Sequence, residues 1–222
     1  GENMNKLRKL LNEKKYLIMG ILNFTPDSFS DGGDFYDVEA AIEGVHKMVE
    51  EGADIIDIGA ESTRPGSTVV SEEDELARLQ SVFPTLRKEF PDVCFSIDTY
   101  KPTVAEYMIK EGIDALNDVN GVKGSNMAEV AAKYNIPIFV MHNGGVKEGH
   151  EIEQVVRELS ESVDICLKAG VKKENIILDP GMGFGKTAEA NLEITHVSDF
   201  EKTEIQYKLP NAECLLLDLS GS

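Results

Sequence analysis

The stretch from residue 93 to residue 117 reads VCFSIDTYKPTVAEYMIKEGIDALN and decides the predicted fold. It opens with an apolar run that ends at Asp98, continues through a helical pattern, and reaches Gly112, which suits a left-handed helix cap. A second apolar run begins at Ala115. The stretch therefore predicts a strand, a helix and a second strand, which is the unit from which parallel sheets are built.

The same unit recurs along the chain. Strands are predicted at 16–22, 54–58, 93–97, 115–117, 136–141, 176–178 and 214–219. Helices are predicted at 38–51, 72–89, 103–111, 126–134, 153–169 and 188–200. A doubly wound open sheet would also fit this periodicity. Because a polar or Gly-rich cluster follows nearly every strand, the pattern favours a (β/α)8 TIM barrel, C-terminally incomplete with about seven strands, in which all strand ends meet on one face.

Composition narrows the possible partners. The chain has 222 residues and suits a single domain spanning 1–222, of which 1–3 can be a vector remnant. Forty acidic residues against 22 basic ones give a net charge of −18, which disfavours nucleic acid and membrane surfaces as partners. An anionic substrate would need a metal ion, an arginine or a helix N-terminus. Three widely spaced cysteines favour a reducing cytoplasm over a disulfide framework or a zinc site.

Two loops carry residues suited to ligand binding. After the first predicted strand comes NFTPDSFSDGG (23–33), in which Asp27, Asp31 and two Phe can fold over a ligand and exclude water. After the second strand, Arg64 beside the Thr63 hydroxyl can meet a phosphate or a carboxylate. The alternatives are a surface turn with capping Asp and Ser, and a solvated surface arginine.

Acids and amides end the later strands. In a barrel, Asp98, Asp118, Asp179, Asn117 and Asn143 are expected to ring the mouth, where carboxylates and amides suit a flat heterocycle rich in N–H donors. Each Asp could instead cap the following helix.

A Gly-rich stretch at 181–187 follows the sixth predicted strand. It fails the phosphate-loop pattern, because Pro180 stands where the first Gly is required. We instead expect Phe184 to pack on an aromatic ligand and Lys186 to supply charge.

Several of these stretches, in this order and spacing, resemble dihydropteroate synthase. They are 23–33, 57–66, 96–102, 117–121 and 178–187, and the first is highly specific. The resemblance covers roughly residues 16–193. It implies a TIM barrel that condenses 6-hydroxymethyl-7,8-dihydropterin diphosphate with 4-aminobenzoate, giving 7,8-dihydropteroate and diphosphate, in the folate-pathway step that sulfonamide drugs compete against.

The resemblance also implies roles for individual residues. Asp98, Asn117 and Asp179 would hold the pterin edge, with Met141 near its ring, and Asn23 would coordinate the Mg²⁺ that rides on the diphosphate. Asp98 and Asp179 would stabilise the positive charge that develops on the pterin as diphosphate leaves, so that no side-chain nucleophile is needed. Asp31, as a third catalytic residue, would close over the diphosphate and the aminobenzoate together with Thr63 and Arg64, and Phe184 would line the aminobenzoate pocket. Asp27 and Lys186 are further expected to bind substrate.

The segment 194–222 is atypical of this family. The Ser-Arg-Lys and Arg-x-His segments that the resemblance implies do not occur in it. Little turnover is therefore expected from this chain alone, and a truncated or non-catalytic pterin-binding fragment is an open alternative. A methyltetrahydrofolate-binding methyltransferase domain is a second alternative, although proteins of that class do not share the motif found here at 23–33. The family resemblance further implies a tendency to homodimerise.

Overall fold

The computed structural model of the protein describes residues 4–14, 17–24, 38–61 and 68–181. Within these ranges, strands and helices alternate, and each strand pairs in parallel with the next one along the chain. The strands are β1 (Met19–Asn23), β2 (Ile55–Gly59), β3 (Cys94–Asp98), β4 (Ala115–Asp118), β5 (Ile138–Met141) and β6 (Ile176–Asp179). The helices are α1 (Lys6–Glu13), α2 (Val38–Glu50), α3 (Glu72–Glu89), α4 (Pro102–Lys110), α5 (Met127–Tyr134) and α6 (Glu151–Ala169), and a 3₁₀ turn (Lys173–Asn175) precedes β6.

The element bounds agree closely with the periodicity of the sequence. The helix predicted at 72–89 is α3 with the same bounds, and the first strand begins at Met19 rather than at residue 16. The glycines that follow α2, α4 and α6 have φ values of 101°, 97° and 97°, which confirms them as left-handed residues. The predicted helix at 188–200 and strand at 214–219 lie outside the described residues.

The helix α1 was not predicted. It begins after Asn5, whose side-chain oxygen accepts hydrogen bonds from the backbone N–H groups of Leu7 (2.9 Å) and Arg8 (3.4 Å). Leu7 and Leu11 lie one turn apart on its buried face. Both features, an Asn cap and two Leu residues one turn apart, are visible in the sequence.

The outer face of the sheet packs against helices. The apolar side chains on this face include Leu22, Ile58, Ile97, Leu116 and Val140, and they form one continuous core with the buried faces of α2 to α6. Burial on both faces explains why the strands are nearly continuous apolar runs.

No helix among the described residues has the length and apolar character to cross a membrane.

The inner face begins with a layer that is wholly apolar. Each of the six strands contributes one side chain to it: Met19, Ile55, Cys94, Ala115, Phe139 and Ile177. Leu7, Leu11 and Leu17 pack on this layer from below, so α1 and the segment after it cover the N-terminal ends of the strands. We call these six strand residues the lower layer.

Polar contacts fix α1 in this position. Asn5 donates to the backbone oxygen of Asp114 (2.8 Å), immediately before β4. Arg8 donates to the side chain of Asn175, immediately before β6. Lys14 pairs with Asp54, immediately before β2. The helix therefore holds alternate strands at their N-terminal ends.

Candidate active site

Two residues beyond the lower layer, the inner face becomes polar on four of the six described strands. Side chains of a strand alternate between its faces, so the positions two residues further along point to the same side. They are Ile21, Asp57, Ser96, Asn117, Met141 and Asp179. We call them the upper layer. It lies at the C-terminal ends of the strands, which is where barrel enzymes place their active sites.

Asp57 lies at the centre of a hydrogen-bond network in this layer. It is 3% exposed; one carboxylate oxygen accepts from the Ser96 hydroxyl at 2.6 Å, and the other accepts from the Asn117 amide nitrogen at 3.0 Å. Burial raises its pKa to about 6, partly offset by the hydrogen bonds from Ser96 and Asn117, while the Asp179 carboxylate adds to the rise. This network joins β2, β3 and β4.

Asp98 is the last residue of β3 and lies two positions beyond Ser96, on the same face of the strand. Burial raises the pKa of its carboxyl well above the usual range, and the negative charges of Asp57 and Glu75 act in the same direction. Its strand neighbours in register are Gly59 on β2 and Asn117 on β4. A carboxyl group in such surroundings favours a ligand that brings positive charge or N–H donors to it.

Two buried oxygen atoms of this site accept no hydrogen bond. They are Oδ1 of Asp98 and Oδ1 of Asn117, and neither has a partner among the described residues. Buried acceptors of this kind normally have partners, because leaving one unpaired costs about 1–3 kcal/mol. Two acceptors on neighbouring strands therefore match a ligand edge that carries several donors.

Asp179 closes the series on β6. Its strand partner in register is Met141, which is buried at the end of β5. One Asp179 carboxylate oxygen accepts from the backbone N–H of Gly181 at 2.9 Å, and its backbone oxygen accepts from the N–H of His142 at 2.8 Å. Burial is the main cause of the raised pKa of Asp57, and the charge of Asp179 adds to the rise. Asp57 on β2 thus interacts electrostatically with Asp179 on β6 and with Asp98 on β3.

Gly59 leaves space between Asn23 and Asp98. These three residues are in register at the ends of β1, β2 and β3. A Cβ at position 59 would approach the Asn23 amide oxygen to 3.0 Å and an Asp98 carboxylate oxygen to 3.8 Å. The glycine therefore keeps this part of the mouth open beside two side-chain oxygens.

A partly buried ion cluster joins the residues on either side of the segment that contains Thr63 and Arg64. The Lys101 ammonium donates to Glu61 (2.8 Å), to Glu75 (2.8 Å) and to the backbone oxygen of Val70 (2.7 Å). Glu61 directly precedes the undescribed residues 62–67, and Val70 follows them closely. The cluster thereby fixes the positions of Glu61 and Val70 on either side of the undescribed residues.

One of the acids predicted at the mouth is placed elsewhere, so that part of the prediction is wrong. Asp118 is fully buried on the opposite face of β4, where its carboxylate accepts from the backbone N–H groups of Asn120 (2.9 Å) and Val122 (3.0 Å). Asn143 lies in the exposed connection after β5 and donates to the Asn120 side chain at 3.3 Å. Both side chains stabilise loops.

Six of the predicted site residues lie outside the described residues. They are Asp27, Asp31, Thr63, Arg64, Phe184 and Lys186. Conversely, sequence reasoning missed Asp57, Ser96 and Lys101 as individual residues. The sequence holds a signal for two of them. Asp57 is a charge inside the apolar run Ile55–Ile58. Lys101 is a cation at the start of a helix, where the helix dipole disfavours positive charge.

Comparison with known proteins shows the family of the chain. A family model described as "Pterin binding enzyme" matches residues 19–212. The chain belongs to this family. It is 52% identical over 185 residues to the dihydropteroate synthase of Clostridium beijerinckii, covering 82% of this chain and 68% of that one. It is 46% identical over 184 residues to that of Bacillus subtilis, covering 82% and 64%. The chain thus spans about two thirds of the length of these relatives.

Solved structures of the same enzyme superpose on the chain. The dihydropteroate synthase of Clostridium difficile, determined in the presence of pteroic acid, has a TM-score of 0.81 and 43% identity, covering 91% of this chain and 76% of that one. The Xanthomonas albilineans enzyme with 4-aminobenzoic acid has a TM-score of 0.80 and 35% identity, covering 91% and 72%. The Anaplasma phagocytophilum enzyme with 6-hydroxymethylpterin-monophosphate has a TM-score of 0.78 and 37% identity, covering 85% and 76%.

These matches confirm the predicted resemblance to dihydropteroate synthase and the predicted barrel class. They agree with a sheet whose six described strands follow the order of the sequence.

Proposed function

We propose that this chain binds 6-hydroxymethyl-7,8-dihydropterin diphosphate and 4-aminobenzoate and condenses them to 7,8-dihydropteroate and diphosphate. The observation that carries the proposal is the pair of buried, unpartnered acceptors, Asp98 Oδ1 and Asn117 Oδ1, at the C-terminal ends of neighbouring strands. A pterin edge carries N–H donors in one plane. Family membership supports the same substrate class.

The acidic residues suit the proposed reaction. The bond between the pterin methylene carbon and the bridging oxygen breaks, and its electrons leave with the diphosphate. The positive charge that develops on the pterin is favoured by Asp57, Asp98 and Asp179. In the absence of ligand, burial disfavours the charged forms of Asp57 and Asp98, and Asp57 is further opposed by the charge of Asp179 and Asp98 by that of Asp57. The aminobenzoate nitrogen then bonds to the methylene carbon and releases a proton.

Mg²⁺ is part of the proposal. The Asn23 amide oxygen is a ligand type that Mg²⁺ accepts, and it faces the space that Gly59 leaves open. Among the described residues, no group of three or more His, Cys, Asp or Glu side chains is arranged to hold a metal. Most ligands of the ion would therefore come from diphosphate and water, as is common for Mg²⁺. The ion would supply charge neutralisation of the leaving diphosphate.

The proposed roles of the undescribed residues follow the family resemblance. Asp27, Asp31, Thr63, Arg64 and Lys186 would contact diphosphate or aminobenzoate, and Phe184 would line the aminobenzoate pocket. A homodimer and a cytoplasmic location stay predictions.

Two measurements on the whole chain test this proposal. Calorimetric titration with 6-hydroxymethylpterin should show binding at one site, and incubation with both substrates and Mg²⁺ should release diphosphate. Binding without release would support the alternative of a pterin-binding chain without catalysis. Absence of both would contradict the proposal.

A further inference from the structure

We propose that Asp57 is a positioning residue: with Ser96 it fixes the orientation of the Asn117 amide, and so makes the site selective for a heterocycle edge that donates hydrogen bonds. The inference rests on the proposed function and deepens it. Asp57 would act through Asn117 and need not touch the substrate.

Within the described residues, both oxygens of Asp57 are engaged by the protein itself. Each of its oxygens has a partner from a different strand, the Ser96 hydroxyl at 2.6 Å and the Asn117 amide nitrogen at 3.0 Å. Asp57 is 3% exposed and Ser96 is fully buried, so water does not compete at these contacts. The arrangement is therefore fixed by the protein itself.

The chemistry of the three groups permits only one amide orientation. An ionised carboxylate accepts hydrogen bonds and donates none, and the single Ser96 proton is already directed at Asp57. Asn117 must therefore turn its NH₂ group towards Asp57, because the flipped amide would set its oxygen against a carboxylate oxygen. The two ends of an amide have nearly the same shape, so packing alone would not choose between them.

This orientation determines what Asn117 shows to a ligand. Its oxygen is the buried, unpartnered acceptor, and the Asp98 acceptor stands on the neighbouring strand in register. A 2-amino-4-oxopteridine brings N–H donors along one edge. Its 2,4-dioxo counterpart exchanges the exocyclic amino donor for a carbonyl acceptor, which an oxygen-presenting site should reject.

The test compares two matched probes by calorimetry on the whole chain. One is 6-hydroxymethylpterin, which is the 2-amino-4-oxo compound, and the other is its 2,4-dioxo analogue. We expect the wild-type chain to prefer the amino compound by about 100-fold or more. In the variant with Asp57→Asn and Ser96→Ala, the amide at position 57 can pair with Asn117 in either orientation. The preference should fall by about tenfold or more, mainly because the dioxo compound binds more tightly.

A reciprocal swap is the matched control. With Asp57→Asn and Asn117→Asp, the new amide donates to the new carboxylate, which still presents an oxygen to the ligand, so the preference should be retained. This arm also decides the question if the first variant does not fold, since loss of preference in the folded swap would overturn the inference.

The outcomes separate this inference from the proposed function. A residue that matters only for the fold would weaken both probes equally, and an unchanged ratio in the first variant would overturn the positioning role while leaving pterin binding intact. A wild-type chain that binds neither probe would overturn the proposed function and the inference together.

Discussion

The lower and upper layers of the inner face differ by only two positions along each strand, yet they have opposite properties. The lower layer is apolar on all six strands and is covered by α1. The upper layer contains Asp57, Ser96, Asn117 and Asp179, and the raised pKa of Asp57 shows that its ionised form is disfavoured there. The lower layer gains stability from burial, whereas the upper layer sacrifices stability to keep acceptors ready for a ligand.

The largest expected effect comes from the lower layer. Phe139→Ala would leave a cavity at a fully buried position and should lower the free energy of unfolding by about 3–5 kcal/mol. Urea denaturation measures this loss. If the layers act separately, the folded variant should keep its pterin affinity within a few fold. A small loss of stability accompanied by a large loss of affinity would contradict this division.

The corresponding change in the upper layer affects the ligand instead. Asp179→Asn turns an amide donor towards a donor edge and should weaken pterin binding by tens of fold, on the order of 2 kcal/mol. Calorimetry with 6-hydroxymethylpterin measures the affinity. Unchanged affinity would refute the proposed contact of Asp179 with the pterin.

The upper layer should also make stability depend on pH. The folded pKa of Asp57 is about 6, above the unfolded value of 3.8, so the folded state binds more protons between these values and its stability falls as pH rises. At pH 8, Asp57→Asn should therefore stabilise the unligated chain by on the order of 1–3 kcal/mol. The advantage should narrow as the pH approaches 5. Urea denaturation of both chains at the two pH values tests this, and a variant that is less stable at pH 8 would contradict it.

A smaller effect is expected at the cover of the lower layer. Asn5→Ala removes the α1 cap and its hydrogen bond to the Asp114 backbone, and should cost about 1 kcal/mol of stability. The melting temperature would report it. Since α1 lies at the opposite end of the strands from the upper layer, pterin affinity should not change. A lower pterin affinity in this variant would show that the two ends are coupled.

Sequence periodicity predicted most of the strands and helices because burial on both faces makes the strands apolar and the helices amphipathic. It predicted Asp98 and Asn117 at the mouth from their place at strand ends. It wrongly added Asp118, although the residue after Asn117 must point to the opposite face of β4. It missed Asp57 because the partners of this residue are 39 and 60 positions away, and only the folded sheet brings them together.

The most direct test of the contrast between the layers is one substitution measured in two ways. Asp98→Asn removes a buried carboxyl group whose pKa is raised well above its usual range, and it replaces an acceptor that a donor edge would use. With the unligated chain at pH 8, the account predicts that stability rises while affinity for 6-hydroxymethylpterin falls by about tenfold or more. A variant that keeps its affinity, or that loses both affinity and stability, would contradict it.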